Sequence, residues 1–141
     1  MTPRVVLDTN VLVAGLRSSL GASNRVLSLA GTGRFVHVVS VALVFEYEAA
    51  VMRPELGIPL PRSAISDVLD YLCSAGVRQQ IYFLWRPVLP DPSDDLVLEV
   101  AVHGQCDRIV TFNARDFVGS ERFGIRVETP AAFLRSLGVK P

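Results

Sequence analysis

Val5-Val6-Leu7-Asp8-Thr9-Asn10-Val11-Leu12 decides how the rest of the chain is read. Arg4–Leu7 is short, apolar and β-branched, the pattern of a strand buried on both faces. Asp8 follows directly, which predicts a carboxylate at the strand's carboxyl end. A turn or helix cap uses Asp in the same way. Asn10 is the predicted N-cap of a helix over Val11–Arg17, and Gly21 breaks that helix.

The same alternation continues outward. A second helix is predicted over Ala22–Ala30, closed by Gly31 and Gly33. Phe35–Val39 reads as a strand. Ser40 then stands at an N-cap position before a helix over Val41–Arg53, and Pro54, Pro59 and Pro61 enforce a break. Arg62–Ser74 is predicted helical, ending at Gly76. Gln80–Trp85 reads as a short strand, and Pro87, Pro90 and Pro92 hold an extended loop. Ser93 is the predicted cap of a helix over Asp94–His103. Arg108–Thr111 and Ile125–Glu128 read as strands, and Pro130 opens a last helix to Leu137. Alternating strands and helices with apolar strands predict an α/β fold, a three-layer α/β/α sandwich with a mainly parallel central sheet. Sites in such folds lie at the carboxyl ends of the strands.

Composition sets the bounds. With 141 residues the chain is expected to form a single domain spanning 1–141. That length buries enough surface to fold without a disulfide or metal staple. Half of the residues are hydrophobic and 20% are charged, which excludes disorder. The mean hydropathy of +0.36 is high for a small soluble monomer, so part of the apolar surface is expected to face a partner. Basic and acidic residues balance at 14 each, so there is no global basic field, though a local patch remains open. Every basic residue except Lys140 is Arg, which suits phosphate recognition and also follows from a GC-rich genome. Cys73 and Cys106 form no C-x-x-C pair, which favours a reducing cytoplasm. No targeting segment is expected. No apolar stretch approaches the ~18 residues of a membrane helix.

Four groups of polar residues then draw notice. Asp8 ends the first strand. Glu46 lies in a mostly apolar helix, on a stripe with Ala42, Phe45, Ala49 and Ala50. A carboxylate there needs a cation or hydrogen bonds. A salt bridge to an Arg such as Arg53 would serve, and Glu48 competes with Glu46 for any role. Asp94 and Asp95 open the fifth predicted helix, where acids also stabilise the helix dipole. Asp94 shares a stripe with Val97, Leu98 and Ala101, so it is expected to face inward and Asp95 outward. Asp91 is expected to be solvated in its loop. Thr111, Asn113 and Asp116 gather at the carboxyl end of a second strand. Clustered carboxylates repel unless a cation neutralises them, and oxygen-only ligands suit Mg²⁺ or Mn²⁺. No His and Cys cluster for zinc exists, His37 and His103 read as structural, and neither a P-loop nor a dinucleotide-binding glycine motif occurs.

In this order the residues resemble the PilT N-terminus (PIN) domain family. The resemblance rests on Val5 through Leu12, on Glu46 through Arg53-Pro54, on Asp91-Pro92-Ser93-Asp94-Asp95 ahead of Ala101, and on Ile109-Val110-Thr111 through Asp116-Phe117. The closing Ile125 through Thr129-Pro130, with Phe133-Leu134, is similar to a bacterial subgroup described as toxin components of toxin–antitoxin pairs. The family's four acidic positions map onto Asp8, Glu46, Asp94 and a position after Thr111. Many members carry Asp two residues after that Thr, where this chain has Asn113; others carry Asn there and Asp three residues on, which Asp116 fits. The resemblance implies a metal-dependent endoribonuclease using Mg²⁺ or Mn²⁺ held by Asp8, Glu46, Asp94 and Asp116. Its products would carry 5′-phosphates and 3′-hydroxyls. Thr9, Asn10, Thr111 and Asn113 would support these acids by hydrogen bonds, and Arg17, Arg53 and Arg115 could meet the backbone of single-stranded RNA. It also implies an antitoxin partner, a homodimer and a cytoplasmic setting without membrane attachment.

Two alternatives stay open. One is the same fold with weak or lost catalysis, binding RNA or protein, which Asn113 keeps in play. The other is an acid-cluster phosphatase. That class needs a second acid two residues after the nucleophile, and position 10 is Asn.

Overall fold

A computed structural model describes residues 2–81 and 88–141. The five strands among these residues are β1 (Arg4–Leu7), β2 (Val36–Val39), β3 (Val77–Arg78), β4 (Arg108–Val110) and β5 (Arg126–Glu128). They form one sheet in the order β3-β2-β1-β4-β5, with every neighbouring pair parallel. Among the described residues the six α-helices are α1 (Thr9–Arg17), α2 (Ala22–Leu29), α3 (Val41–Val51), α4 (Arg62–Ala75), α5 (Pro92–His103) and α6 (Pro130–Ser136). α5 packs on β1, β2 and β4 and meets α3, which also meets α4; α2 joins α1 to α6. The result is the three-layer α/β/α architecture expected from the alternation.

The core follows from the strand composition. Val5, Val6, Val38, Ile109 and Val110 are fully buried, because helices cover both faces of a parallel sheet. α1 contributes Val11, Leu12, Gly15 and Leu16, one face at helical spacing. Phe35, ahead of β2, meets Phe133 of α6 edge to face at 5.2 Å between centroids.

Several local expectations change. Asp8, not Asn10, caps α1: its carboxylate accepts the Thr9 N–H at 2.8 Å, so the helix starts two residues earlier. Asp91, not Ser93, caps α5, accepting the Ser93 N–H at 2.8 Å. In both helices an Asp stands two residues before the expected cap and takes the first free N–H groups. Ser40 does cap α3, accepting from Leu43 N. The strand expected over Gln80–Trp85 is not seen at Gln80 and Ile81, and positions 82–85 lie outside the described residues. The edge strand is Val77–Arg78 instead, too short and too exposed for periodicity to mark.

His37 has a structural place. It is buried in β2, and its Nε2 bonds the Leu72 carbonyl of α4 at 2.7 Å. Gly76 sits against that ring: an added Cβ would stand 2.5 Å from His37 Nε2 and 2.8 Å from the Leu72 carbonyl oxygen. Gly76→Ala is therefore expected to lose about 1–3 kcal/mol by overpacking, read as a lower urea midpoint with an unchanged slope.

Candidate active site

The strand order reverses direction between β1 and β4, and ligands in such sheets bind outside the carboxyl ends at that point. Leu7 and Val110 pair there in register, and the Asp8 N–H donates to the Val110 carbonyl at 2.9 Å. The two strand tips thus place Asp8 beside Thr111.

Thr111 is fully buried and its hydroxyl is saturated. It donates to Asp8 Oδ2 at 2.7 Å and accepts from Asn10 Nδ2 at 3.2 Å and from the Asn113 N–H at 3.1 Å. The other Asp8 oxygen accepts from Thr9 N. Thr9 therefore acts through its backbone, which other residue types can also supply. Thr111→Val keeps the side-chain volume but strips Asp8 of its hydroxyl donor and leaves two other donors unmatched. The expected loss is about 1–3 kcal/mol, measured by denaturant unfolding.

Asp8, Thr9, Asn10, Glu46, Asp91, Asp94, Asn113 and Asp116 line one open cleft of about 460 Å³, with Arg17 and Arg53 on its walls. A neighbouring cavity shares Asp91, Asp94 and Asp116 and adds Arg115. Every acid singled out in the sequence for a metal role reaches this cleft, as do both candidates for the position after Thr111. Asp91 is exposed as expected, but it also lines the cleft.

Two orientations differ from expectation. On α3 the buried face is Leu43, Tyr47, Ala50 and Val51. Phe45 is 66% exposed, and of the proposed Glu46 stripe only Ala50 is buried. The helix is apolar all round, so periodicity could not select a face. Glu46 borders the buried face and lines the cleft, while Glu48 is exposed. No ion pair joins Glu46 to Arg53 among the described residues; Ser93 Oγ donates to Glu46 Oε1 at 3.1 Å instead. On α5 the positions reverse. Asp95 is the buried acid, at 8% exposure, and Asp94 is half-buried in the cleft. Asp95 turns inward because its carboxylate accepts the Leu89 N–H at 2.8 Å and the Val88 N–H at 3.1 Å. Those partners lie upstream of the helix, where a helical stripe carries no information about them.

The charges act on one another. Burial raises the Asp8 pKa; hydrogen bonds from Thr111 and Thr9 oppose this, and the Asp116 and Glu46 charges add to it. Asp94 is pushed up to about 6, first by burial and then by Asp8, Asp91, Asp116 and Asp95. Acids from β1, α3, α5 and the turn after β4 therefore share one field.

Residues 4–115 match the family model described as PIN domain. The chain belongs to the PIN domain family. PIN domains are a nuclease-type fold, generally nucleases, and typically use divalent metals. No curated protein matches the chain. In this PIN domain the candidate donors are carboxylate oxygens, the chemistry that hard divalent ions take. Among the described residues, no three His, Cys, Asp or Glu side chains stand close enough, as they lie, to hold one ion. The fit thus rests on donor type and shared negative field. Among the described residues no helix is long and apolar enough to cross a membrane.

The sequence gives no sign of a role for Tyr47. It is buried beside Asp8, and its hydroxyl donates to the Leu7 carbonyl. An aromatic residue in an apolar helix gives no sign of such a bond.

Proposed function

We propose that this PIN domain is a metal-dependent endoribonuclease that hydrolyses RNA phosphodiester bonds, and that it is the toxin of a toxin–antitoxin pair. One observation carries the catalytic part: Asp8 and Asp94 line one cleft with Glu46 and Asp116, and both carboxyls are raised, first by burial and then by the surrounding acids. Such a cluster is an unfavourable arrangement for a metal-free protein and a favourable one around a cation.

Asp8, Glu46, Asp94 and Asp116 would hold Mg²⁺ or Mn²⁺. The chemistry such an ion supplies is acidification of water and stabilisation of charge developing on the scissile phosphate. The chain's own groups do the rest. Thr111 and the Thr9 N–H fix both oxygens of Asp8. Ser93 donates to one oxygen of Glu46, and the other oxygen would serve as a ligand or orient water. Arg17 and Arg53 on the cleft walls, with Arg115 beyond, suit the backbone of a single strand crossing the acids. The free cysteines Cys73 and Cys106 suit work in a reducing cytoplasm. An antitoxin and a second copy of the chain are the protein partners of this reading, and the exposed Val41 and Phe45 of α3 suit such contacts.

A silent binding module is the second reading. It is favoured by Asn113 where many relatives carry a carboxylate, and by the open spacing of the acids. Mn²⁺ titration by calorimetry separates the two. Saturable binding by the wild-type protein, weakened at least tenfold in folded Asp8→Asn, supports the nuclease. Folded wild-type protein that binds no Mn²⁺ at millimolar concentration supports the silent module.

A further inference from the structure

Tyr47 links two parts of the candidate site. It follows Glu46 on α3, and its ring is buried in the core. Its hydroxyl donates to the Leu7 carbonyl at 2.5 Å, and Leu7 immediately precedes Asp8.

That carbonyl has a specific need for a partner. Along a strand, the N–H and C=O of successive residues point to opposite neighbours. The Asp8 N–H points to β4, where it meets Val110. The Leu7 carbonyl therefore points toward β2. The register of β1 with β2 pairs Arg4 with Val36 and Val5 with His37, and Leu7 lies beyond it. The strands part here, as they must for a cleft to open at their ends. A buried carbonyl left unpaired is costly, and Tyr47 fills the gap from the helix above.

The bond has a geometric consequence. Thr111 holds Asp8 from the β4 side, and Tyr47 holds the preceding peptide from the α3 side. Because Glu46 and Tyr47 are adjacent on α3, the same bond anchors the helical turn that carries Glu46 to the peptide before Asp8.

We propose that Tyr47 is a positioning residue, whose hydrogen bond to the Leu7 carbonyl sets Glu46 against Asp8 across the cleft. This rests on the assignment of Glu46 and Asp8 to the metal site. Tyr47 touches no substrate; it acts through Glu46.

The test is a double-mutant cycle read by Mn²⁺ binding, with Mn²⁺ alone as the probe. Tyr47→Phe keeps the ring and removes only the donor. Loss of a group that orients a ligand typically weakens metal binding about 10–100-fold, and that is the loss expected. In a Glu46→Gln background the same change is expected to do nothing further, since the residue it acts through is already lost. 4-Aminophenylalanine at position 47 restores a donor at the para position and is expected to recover binding. Should Tyr47→Phe not fold, 4-fluorophenylalanine fills the para position without donating and replaces it in the cycle. Wild-type affinity in the donor-free variant would overturn the proposal. So would equal losses with Glu46 intact and with Glu46→Gln in place, because Tyr47 would then act through the Asp8 peptide or general stability and not through Glu46. Failure of the wild-type protein to bind Mn²⁺ at all is a different result: it removes the metal-site assignment on which the proposal stands.

Discussion

Asp8→Asn is expected to bring RNA cleavage below detection while the protein still folds. Asp8 is the acid most firmly held in the cleft, 7% exposed and bonded through both oxygens. Asn keeps the size of the side chain and one acceptor oxygen, but it removes the negative charge at the centre of the shared field. Folding should survive because the surrounding core is apolar and intact, and because deprotonated Asp8 is itself disfavoured in the folded state. The checks are product formation on single-stranded RNA and the far-ultraviolet circular dichroism of the same preparation. Full activity in a folded Asp8→Asn protein would remove the site assignment.

The second large effect is a crossed pair at adjacent positions. Asp94→Asn is expected to lose most cleavage yet leave the metal-free fold more stable at neutral pH. Asp95→Asn is expected to cost about 1–3 kcal/mol of stability while lowering cleavage much less. Asp94 faces the cleft, and its pKa is raised to about 6, so its charge opposes folding. Asp95 faces inward and holds the backbone of Val88 and Leu89. The pH dependence of Asp94 has a definite sign. Its unfolded value is near 3.8, so between about pH 4 and 6 the folded protein binds more protons than the unfolded one. Its contribution is then fully present below pH 4 and is lost as pH rises through 6. Melting curves in EDTA at pH 7 are expected to show Asp94→Asn above wild type and Asp95→Asn below it. The reverse order would exchange the roles of the two residues.

That crossed pair also marks how far the sequence can be read. Helical spacing placed α5 correctly within two residues and put its apolar face on the sheet. It failed for Asp95 because the partners are N–H groups of the preceding loop, and hydrogen bonding outweighed the stripe. On α3 the failure has another cause. The helix is apolar on every side, and its buried face is chosen by what surrounds it. The strands β1 and β4 were legible because runs such as Val5-Val6-Leu7 are buried on both faces and leave no ambiguity. From those two strands followed the position of Asp8 and of Thr111. The Thr111 network was only partly legible, since hydroxyl bonds to three partners arise from the meeting of distant strand ends. Tyr47 was not legible at all: nothing in its neighbours indicates that the Leu7 carbonyl lacks a strand partner.

The most direct test of the central claim is incubation of purified protein with a mixed single-stranded RNA pool in Mg²⁺, in Mn²⁺ and in EDTA, beside Asp8→Asn prepared identically. The account predicts internal cuts that need the metal, leave 5′-phosphates and vanish in the variant. Folded wild-type protein that leaves the pool intact with either metal, or cuts that persist in EDTA or in Asp8→Asn, would contradict it.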